Sequence, residues 1–391
     1  MKRPILIGVA AVLAIAAFGF FGIAPAAVEA GMNRVVPAPL PHVTPQTRAL
    51  HASLAIADMH ADTLLWRRNL LDRANRGQVD LPRLQAGNVA LQVFSSVTKT
   101  PRHQNYDANG ADSDNITLLA IAQAQPPRTW GSLLQRSLWH AEKLERAAAA
   151  SGGTLRVIRT PTELDRLLAD RATGRKATGG LLSIEGLQDL EGNPANLDRL
   201  YAAGFRMAGF AHFFDNEAAG SMHGQAKGGL TPLGRQVLRR MEALGMVVDV
   251  AHASHAAVAD ILAMARRPVV SSHGGVQATC KVNRNLTDDE IRGIARTGGV
   301  VGIGYWEAAV CATSPEAIAA AIAHVRDLVG IDHVGLGSDF DGAVTTGFDA
   351  SQLVVVTQAL VDRGFSEQEI AKVMGGNVLR VLRAGMGRSK I

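Results

Sequence analysis

The sequence predicts an α/β fold, a closed (β/α)8 TIM barrel. Three observations predict it: eight short β-branched runs, helical patterns between most of them, and a polar or charged residue at the end of each run. The runs cover residues 54–60, 89–95, 180–185, 206–212, 246–252, 268–273, 299–305 and 333–339. Near-continuous apolar strands that alternate with helices indicate a parallel sheet covered by helices, and eight of them close a barrel.

The chain of 391 residues, 47% hydrophobic and only 5% aromatic, is long enough for one large domain. Ahead of the barrel, Lys2 and Arg3 precede an uncharged apolar run from 4 to 28, a targeting segment rather than part of the fold. Ala24-Pro25-Ala26 offers a small-residue cleavage site, while the length of the run also suits an uncleaved anchor across a bilayer core of about 30 Å. The sequence therefore divides into a signal peptide or membrane anchor at 1–30, a linker at 31–47 and a barrel domain at 48–391. Pro37, Pro39, Pro41 and Pro45 mark the linker as an extended spacer. Either fate of the first segment places the domain outside the cytosol, periplasmic or otherwise extracytoplasmic, secreted or tethered.

The connecting elements carry their own signals. Between 96 and 178 lie far more residues than one βα unit needs, which reads as an elaborated connection holding helices near 139–150 and from Thr160 to Glu163 onward. Val258, Ile261, Leu262 and Ala265 repeat at helical spacing after the fifth run. Ser314-Pro315 starts a helix that Gly330 stops, and Ser366 with Glu369 forms a capping-box pattern at a C-terminal helix.

The formal charge of +5, two units of it from Lys2 and Arg3, comes with no long basic run and no basic stripe interleaved with aromatics, which argues against a nucleic-acid partner. Cys280 and Cys311 lack the spacing of a cysteine metal site. In an oxidising compartment they pair across two loops, or they remain two separate buried thiols.

In a parallel barrel the C-terminal ends of the strands share one face, where active sites are assembled. His60 and Asp62, two apart, point to one side of an extended backbone, and an imidazole nitrogen with a carboxylate can hold a metal ion. Glu185 follows Leu181, Leu182 and Ile184, and an unpaired carboxylate at the edge of an apolar interior is costly. It answers to a loop arginine or to a metal. His252 and His273 each stop an apolar run on neighbouring strands. Asp339, at the end of the eighth run, stands where a carboxylate can take a proton and pass it to a leaving amine. Together these residues suit a pair of divalent ions bridged by Glu185, and nitrogen and oxygen donors without sulfur fit zinc best.

At this point the chain resembles the membrane (renal-type) dipeptidases, peptidase family M19, among the metal-dependent amidohydrolase barrels. The resemblance spans residues 56–382 and rests on ordered motifs. These are Asp58-Met59-His60-Ala61-Asp62-Thr63-Leu64, Ile184-Glu185-Gly186, His212 with Asn216, the stretch 244–252, Ser272-His273, Arg284-Asn285-Leu286, the stretch 337–342 and Gly375-Gly376-Asn377. The resemblance implies two Zn2+ per chain, one on His60 and Asp62, one on His252 and His273, with Glu185 on both. It implies hydrolysis of a dipeptide's amide bond by a hydroxide between the metals, including dipeptides with a D-residue at the C-terminal side. Asp339 would be the general acid/base, His212 would bind the carbonyl oxygen as it becomes an oxyanion, Arg284 would bind the terminal carboxylate, and Asn216 would help bind substrate. It also implies a possible homodimer. Two departures fall in the substrate pocket. Val282-Asn283 stands where many relatives have His-Pro before Arg284-Asn285, and Gly304-Tyr305-Trp306 stands where relatives show Asn-Phe-Tyr. Tyr305 then supplies a hydroxyl to the substrate, or Trp306 closes the pocket with an apolar wall. The same departures leave room for N-acyl amino acids, lactones or β-lactams as substrates on the same barrel. A non-catalytic surface binding protein would be expected to have lost a ligand or Asp339, and all are present.

Overall fold

The computed structural model describes residues 2–36 and 39–387. Pro37 of the spacer, the side chains of Lys2 and Arg3, and residues 388–391 lie outside that description.

Nine parallel strands form one sheet: β1 (Ile56–Ala61), β2 (Val89–Ser96), β3 (Leu155–Val157), β4 (Thr178–Glu185), β5 (Phe205–Gly209), β6 (Val247–Asp249), β7 (Val269–Ser271), β8 (Val300–Ile303) and β9 (Val334–Leu336). Their order runs β2-β1-β9-β8-β7-β6-β5-β4, and a direct β2–β4 pairing closes the ring, so eight strands make the barrel. Every residue of those eight is buried, because helices cover the outside and side chains fill the inside. The eight runs read from the sequence are these strands.

The ninth, β3, lies in the long connection after β2 and was not read from the sequence. It pairs with the start of β4, Leu155 opposite Thr178 to Val157 opposite Gly180, on the edge that β5 takes over from Leu182. Three residues with one buried side chain leave too short a pattern to recognise. The same connection holds helices Ile116–Ala122, Leu133–Ala150 and Pro161–Ala172, the last begun by a Thr160–Glu163 capping box.

Helix punctuation follows side-chain chemistry. Ser314 accepts a hydrogen bond from the Ala317 amide at the start of helix Pro315–Val329, and Gly330, at φ 97°, ends it. Ser366 and Glu369 cap each other's backbone at helix Glu367–Ala371. Val258 and Ile261 are buried on helix His255–Met264.

The N-terminal segment packs in part against the barrel. It is helical from Lys2 to Met32 with a π-turn at Phe18–Ile23, and Ile5–Met32 is long and apolar enough to cross a membrane. Its first part is exposed, but its end is seated on the barrel. Glu29 is 1% exposed and pairs with Arg68 and Arg76. The Asn33 Oδ1 accepts from the Ala343 amide, the Val36 amide donates to the Thr346 carbonyl and the Thr346 amide donates to the Arg34 carbonyl, both at 2.9 Å. The stretch read as linker also contains the start of helix Pro45–Ser53, capped by Thr44. Packing against the barrel therefore reaches back to Glu29, whose buried carboxylate is held by two paired cations.

Candidate metal centre

The strand ends bring His60, Asp62, Glu185, His212, His252, His273 and Asp339 to one face, each 7% exposed or less. His60 lies within β1 and Glu185 ends β4. The others lie beyond the ladders: His212 follows β5, His252 follows β6, His273 follows β7 and Asp339 follows β9. His252 and Asp339 sit at φ 62° and 61°, the left-handed region that costs a side chain about 1 kcal/mol or more and that clusters at functional sites. Gly186, at φ 94°, turns the chain directly after Glu185, where a Cβ would strike the Gln188 side chain at 2.1 Å.

Glu185 stands between two groups of donors. Its Oε2 is 3.5 Å from His60 Nε2, and its Oε1 is 3.0 Å from His252 Nε2, 3.4 Å from His273 Nε2 and 3.6 Å from His212 Nε2. His60 Nε2 also lies 3.4 Å from Asp62 Oδ1 and 3.8 Å from Asp339 Oδ1. Among the described residues, His60 Nε2, Asp62 Oδ1 and Glu185 Oε2 are buried without a hydrogen-bond partner. Orphaned polar atoms are costly, and these three face one another. Three overlapping sets can each hold a cation: His60 with Glu185 and His273, Glu185 with His212 and His252, and His60 with Asp62 and Asp339. The donor set is nitrogen and carboxylate oxygen, so it fits divalent metal ions.

Charge balance points the same way. Burial disfavours the imidazolium of His60, but Glu185 and Asp62 outweigh it and hold its pKa well above the ordinary value. Burial, aided by Glu185, pushes Asp62 up to about 7. Burial also raises Asp339 well above the carboxylate range, with Asp62 and Glu185 adding to it against His60. Burial holds His252 and His273 well below the usual histidine value, and the charge of Arg284 contributes to both. Their lone pairs are therefore available.

Two buried carboxylates escaped the sequence reading as functional residues. Asp58 accepts from the His60 amide at 2.9 Å and the Ser338 amide at 3.1 Å, tying the β1 end to the β9 end. Asp249 accepts from the Ala251 amide at 2.9 Å and the Ser272 amide at 2.8 Å, tying the β6 end to the β7 end. Each carboxylate therefore fixes two loops that carry site residues. Ser272 Oγ, 2.8 Å from His273 Nδ1, orients that ring so that Nε2 faces the site. The signal was present as an aspartate two or three residues before His60 and before His252.

Arg284 is 2% exposed, yet among the described residues no carboxylate lies within salt-bridge reach of it. Its guanidinium donates to the His273 carbonyl at 2.9 Å and stands 5.7 Å from the Trp306 ring centre. Of the two pocket alternatives, Trp306 is the one beside the site. Tyr305 is a correction: its ring is 0% exposed and packs against Phe340 and Phe348, because it lies on the core side of the backbone. Asn216 is a second correction. Its amide donates to the Phe210 carbonyl at 2.8 Å and its oxygen accepts from the Ala218 and Ala219 amides, so the side chain holds the loop after β5. His223 is fully buried and stacked on Phe213 at 4.6 Å, 5.2 Å from His252. Cys280 and Cys311 form a disulfide with Cα atoms 5.3 Å apart.

The comparisons with known proteins agree with this architecture. A family model described as membrane dipeptidase (peptidase family M19) matches residues 44–388. Dipeptidase aclJ of Aspergillus oryzae is 31% identical over 363 residues, 87% of this chain and 80% of that protein. The probable dipeptidase PvdM from Pseudomonas aeruginosa superposes with a TM-score of 0.74 at 22% identity, over 87% of this chain and 98% of that one. A metallo peptidase from Rhodobacter sphaeroides, liganded with a phosphinate mimic of the dipeptide L-Ala-D-Ala, gives 0.66 at 24% identity, over 85% and 99%. At these identities the structural likenesses speak for the fold.

Proposed function

The chain belongs to the membrane dipeptidase family, peptidase family M19, and is a metal-dependent dipeptidase; from that premise we propose that it uses two zinc ions and hydrolyses dipeptides that include those with a D-residue at the C-terminal side. The observation that carries this reading is Glu185, whose two oxygens face two separate groups of imidazole nitrogens. His60 and Asp62 would hold one ion, His252 and His273 the other, and Glu185 both. Bound divalent ions supply Lewis-acid polarisation of an amide carbonyl and acidify water near neutral pH.

The chain's own residues do the rest. Arg284, a buried cation with no carboxylate in salt-bridge reach among the described residues, binds the substrate's terminal carboxylate, which sets the position of the scissile bond. His212 turns its Nε2 into the site, 3.6 Å from Glu185 Oε1, while its Nδ1 donates to the Lys99 carbonyl at 3.4 Å, so a proton taken up on Nε2 makes the ring a donor there. From there it donates to the carbonyl oxygen as negative charge develops. Asp339, whose burial raises its proton affinity, accepts a proton at the carboxylate and returns it to the departing amine. The apolar N-terminal helix and the Cys280–Cys311 bond support an extracytoplasmic location.

The test is metal analysis of the purified protein with steady-state assays on L,L and L,D dipeptides, before and after chelation. We expect about two zinc ions per chain and activity that chelation removes and zinc restores. Full activity in metal-free protein would overturn the mechanism, and hydrolysis confined to L,L dipeptides would overturn the stereochemical part.

A further inference from the structure

A chamber of about 480 Å³ opens beside the metal centre, with Asp62 and His212 in its wall. Apart from those two residues its lining is largely apolar, with Ile116, Leu119 and Phe213 among it. Two more of its lining residues come from the N-terminal helix: Val28 and Met32. Neither belongs to the barrel, and both lie ahead of the region that the dipeptidase family model matches, which begins at residue 44.

The two side chains are held in place and are not the loose end of an anchor. Glu29, between them in sequence, is buried against Arg68 and Arg76, and Arg68 reaches on to Asp341 in the loop after β9. Asn33 accepts from Ala343 in that same loop, and Thr346 bonds the Arg34 carbonyl at 2.9 Å. Helix Ala24–Met32 is thus fastened at one polar residue per turn while Val28 and Met32, 43% and 45% exposed, face the open chamber. Exposed apolar side chains at the mouth of an apolar cavity have a use when a ligand covers them.

The chamber and Arg284 do not coincide. Arg284 touches His273 and faces Trp306, and neither it nor they line the chamber, which adjoins Asp62, His212 and Gly342 instead. A dipeptide held by its carboxylate at Arg284 therefore extends its amino-terminal residue across the metal centre toward the chamber. We propose that Val28 and Met32 are specificity-determining residues, and that the chamber they complete selects dipeptides whose amino-terminal residue carries a large apolar side chain. The inference rests on the dipeptidase reading with Arg284 as the carboxylate anchor. It also requires that any processing of the targeting segment leave the chain intact from Val28 onward, as cleavage after Ala26 does.

The test compares kcat/KM for leucyl, phenylalanyl and glycyl dipeptides with the same C-terminal residue, using the zinc-loaded full chain in detergent. The native protein favours the apolar substrates over the glycyl one by about tenfold or more, the effect expected of burying one such side chain. In the double variant Val28→Asn with Met32→Gln, both half-exposed positions that the fold does not depend on, the preference falls about tenfold, mainly through KM. Val361→Asn, exposed on the distant helix Val354–Asp362, leaves the preference as it was. An unchanged preference in the double variant, or none in the native protein, overturns the inference while the dipeptidase reading stands. No hydrolysis of any dipeptide by metal-loaded protein overturns both. Independently, mass spectrometry of the protein isolated from its host places the mature N-terminus at or before Val28; a mature chain that begins after Val28 overturns the inference alone.

Discussion

His252 and His273 turn their Nε2 atoms toward each other across 2.9 Å, and Oε1 of Glu185 lies 3.0 Å from the first and 3.4 Å from the second. Burial keeps both rings neutral, so a proton is a poor solution to this convergence and a divalent ion shared by the lone pairs is a good one. Glu185→Gln keeps the shape and removes the charge. Zinc content measured by mass spectrometry should fall to one ion or fewer per chain, and kcat/KM should drop by at least about a hundredfold, since loss of a mere supporting contact to a ligand already costs 10- to 100-fold. Native zinc content in this variant would show that Glu185 does not hold the ions.

Arg284 is expected to act on binding more than on chemistry. Charge-assisted hydrogen bonds to a carboxylate contribute about 1.5–3 kcal/mol, so Arg284→Met should raise KM for dipeptides by roughly 10- to 100-fold with a smaller change in kcat. A dipeptide amide, which lacks the carboxylate, should show the same loss on the native protein and no further loss on the variant. A further loss on the variant would mean that the guanidinium serves the metal centre instead.

Much of the barrel and most of the site were legible because both follow from strand ends. A largely buried, mostly apolar run stopped by His60, Glu185, His252 or His273 marks the C-terminal rim of a parallel strand, and one rim collects them all. What the strands do not dictate was harder to read. Tyr305 and Trp306 are adjacent, and which of them faces the pocket depends on how the backbone leaves β8, which composition does not encode. Asn216 resembles a binding residue by its position after His212, but its amide is consumed by the loop it closes. The seating of the N-terminal segment on the barrel was hard to read for another reason. A hydrophobic targeting run draws the reading away from the charged residue just after it, and Glu29 acquires meaning only from Arg68 and Arg76, about forty residues away.

The Cys280–Cys311 bond ties the segment that precedes Arg284 to the segment that follows Trp306. Asn285 bridges the same two segments without a covalent bond, donating to the Cys280 carbonyl at 2.8 Å and the Ala309 carbonyl at 2.9 Å. Replacing both cysteines by serine should lower unfolding stability by about 3–4 kcal/mol from loop entropy. Because Asn285 remains, KM should rise only a few-fold. Denaturant titration separates the two effects, and an unchanged midpoint would show that the cross-link constrains nothing.

His51 gives the fold a defined acid limit away from the metals. Its Nε2 donates to the Gly87 carbonyl at 3.2 Å and its Nδ1 accepts from the Thr357 hydroxyl at 2.8 Å, so both nitrogens are satisfied with the ring neutral. Burial lowers its pKa from 6.5 to about 4, against a smaller opposing effect of the Gly87 bond. Between those values the unfolded chain binds a proton that the folded chain does not. Stability therefore falls as pH drops from about 6.5 to about 4 and has no further contribution from this residue below that. The full effect is about 3 kcal/mol. Unfolding free energies measured at pH 7, 5.5 and 4 should show this loss in the native protein and a correspondingly shallower slope in His51→Gln, although the variant is less stable at pH 7. Equal slopes in the two proteins would mean that His51 is protonated in the folded state, contrary to its hydrogen bonds.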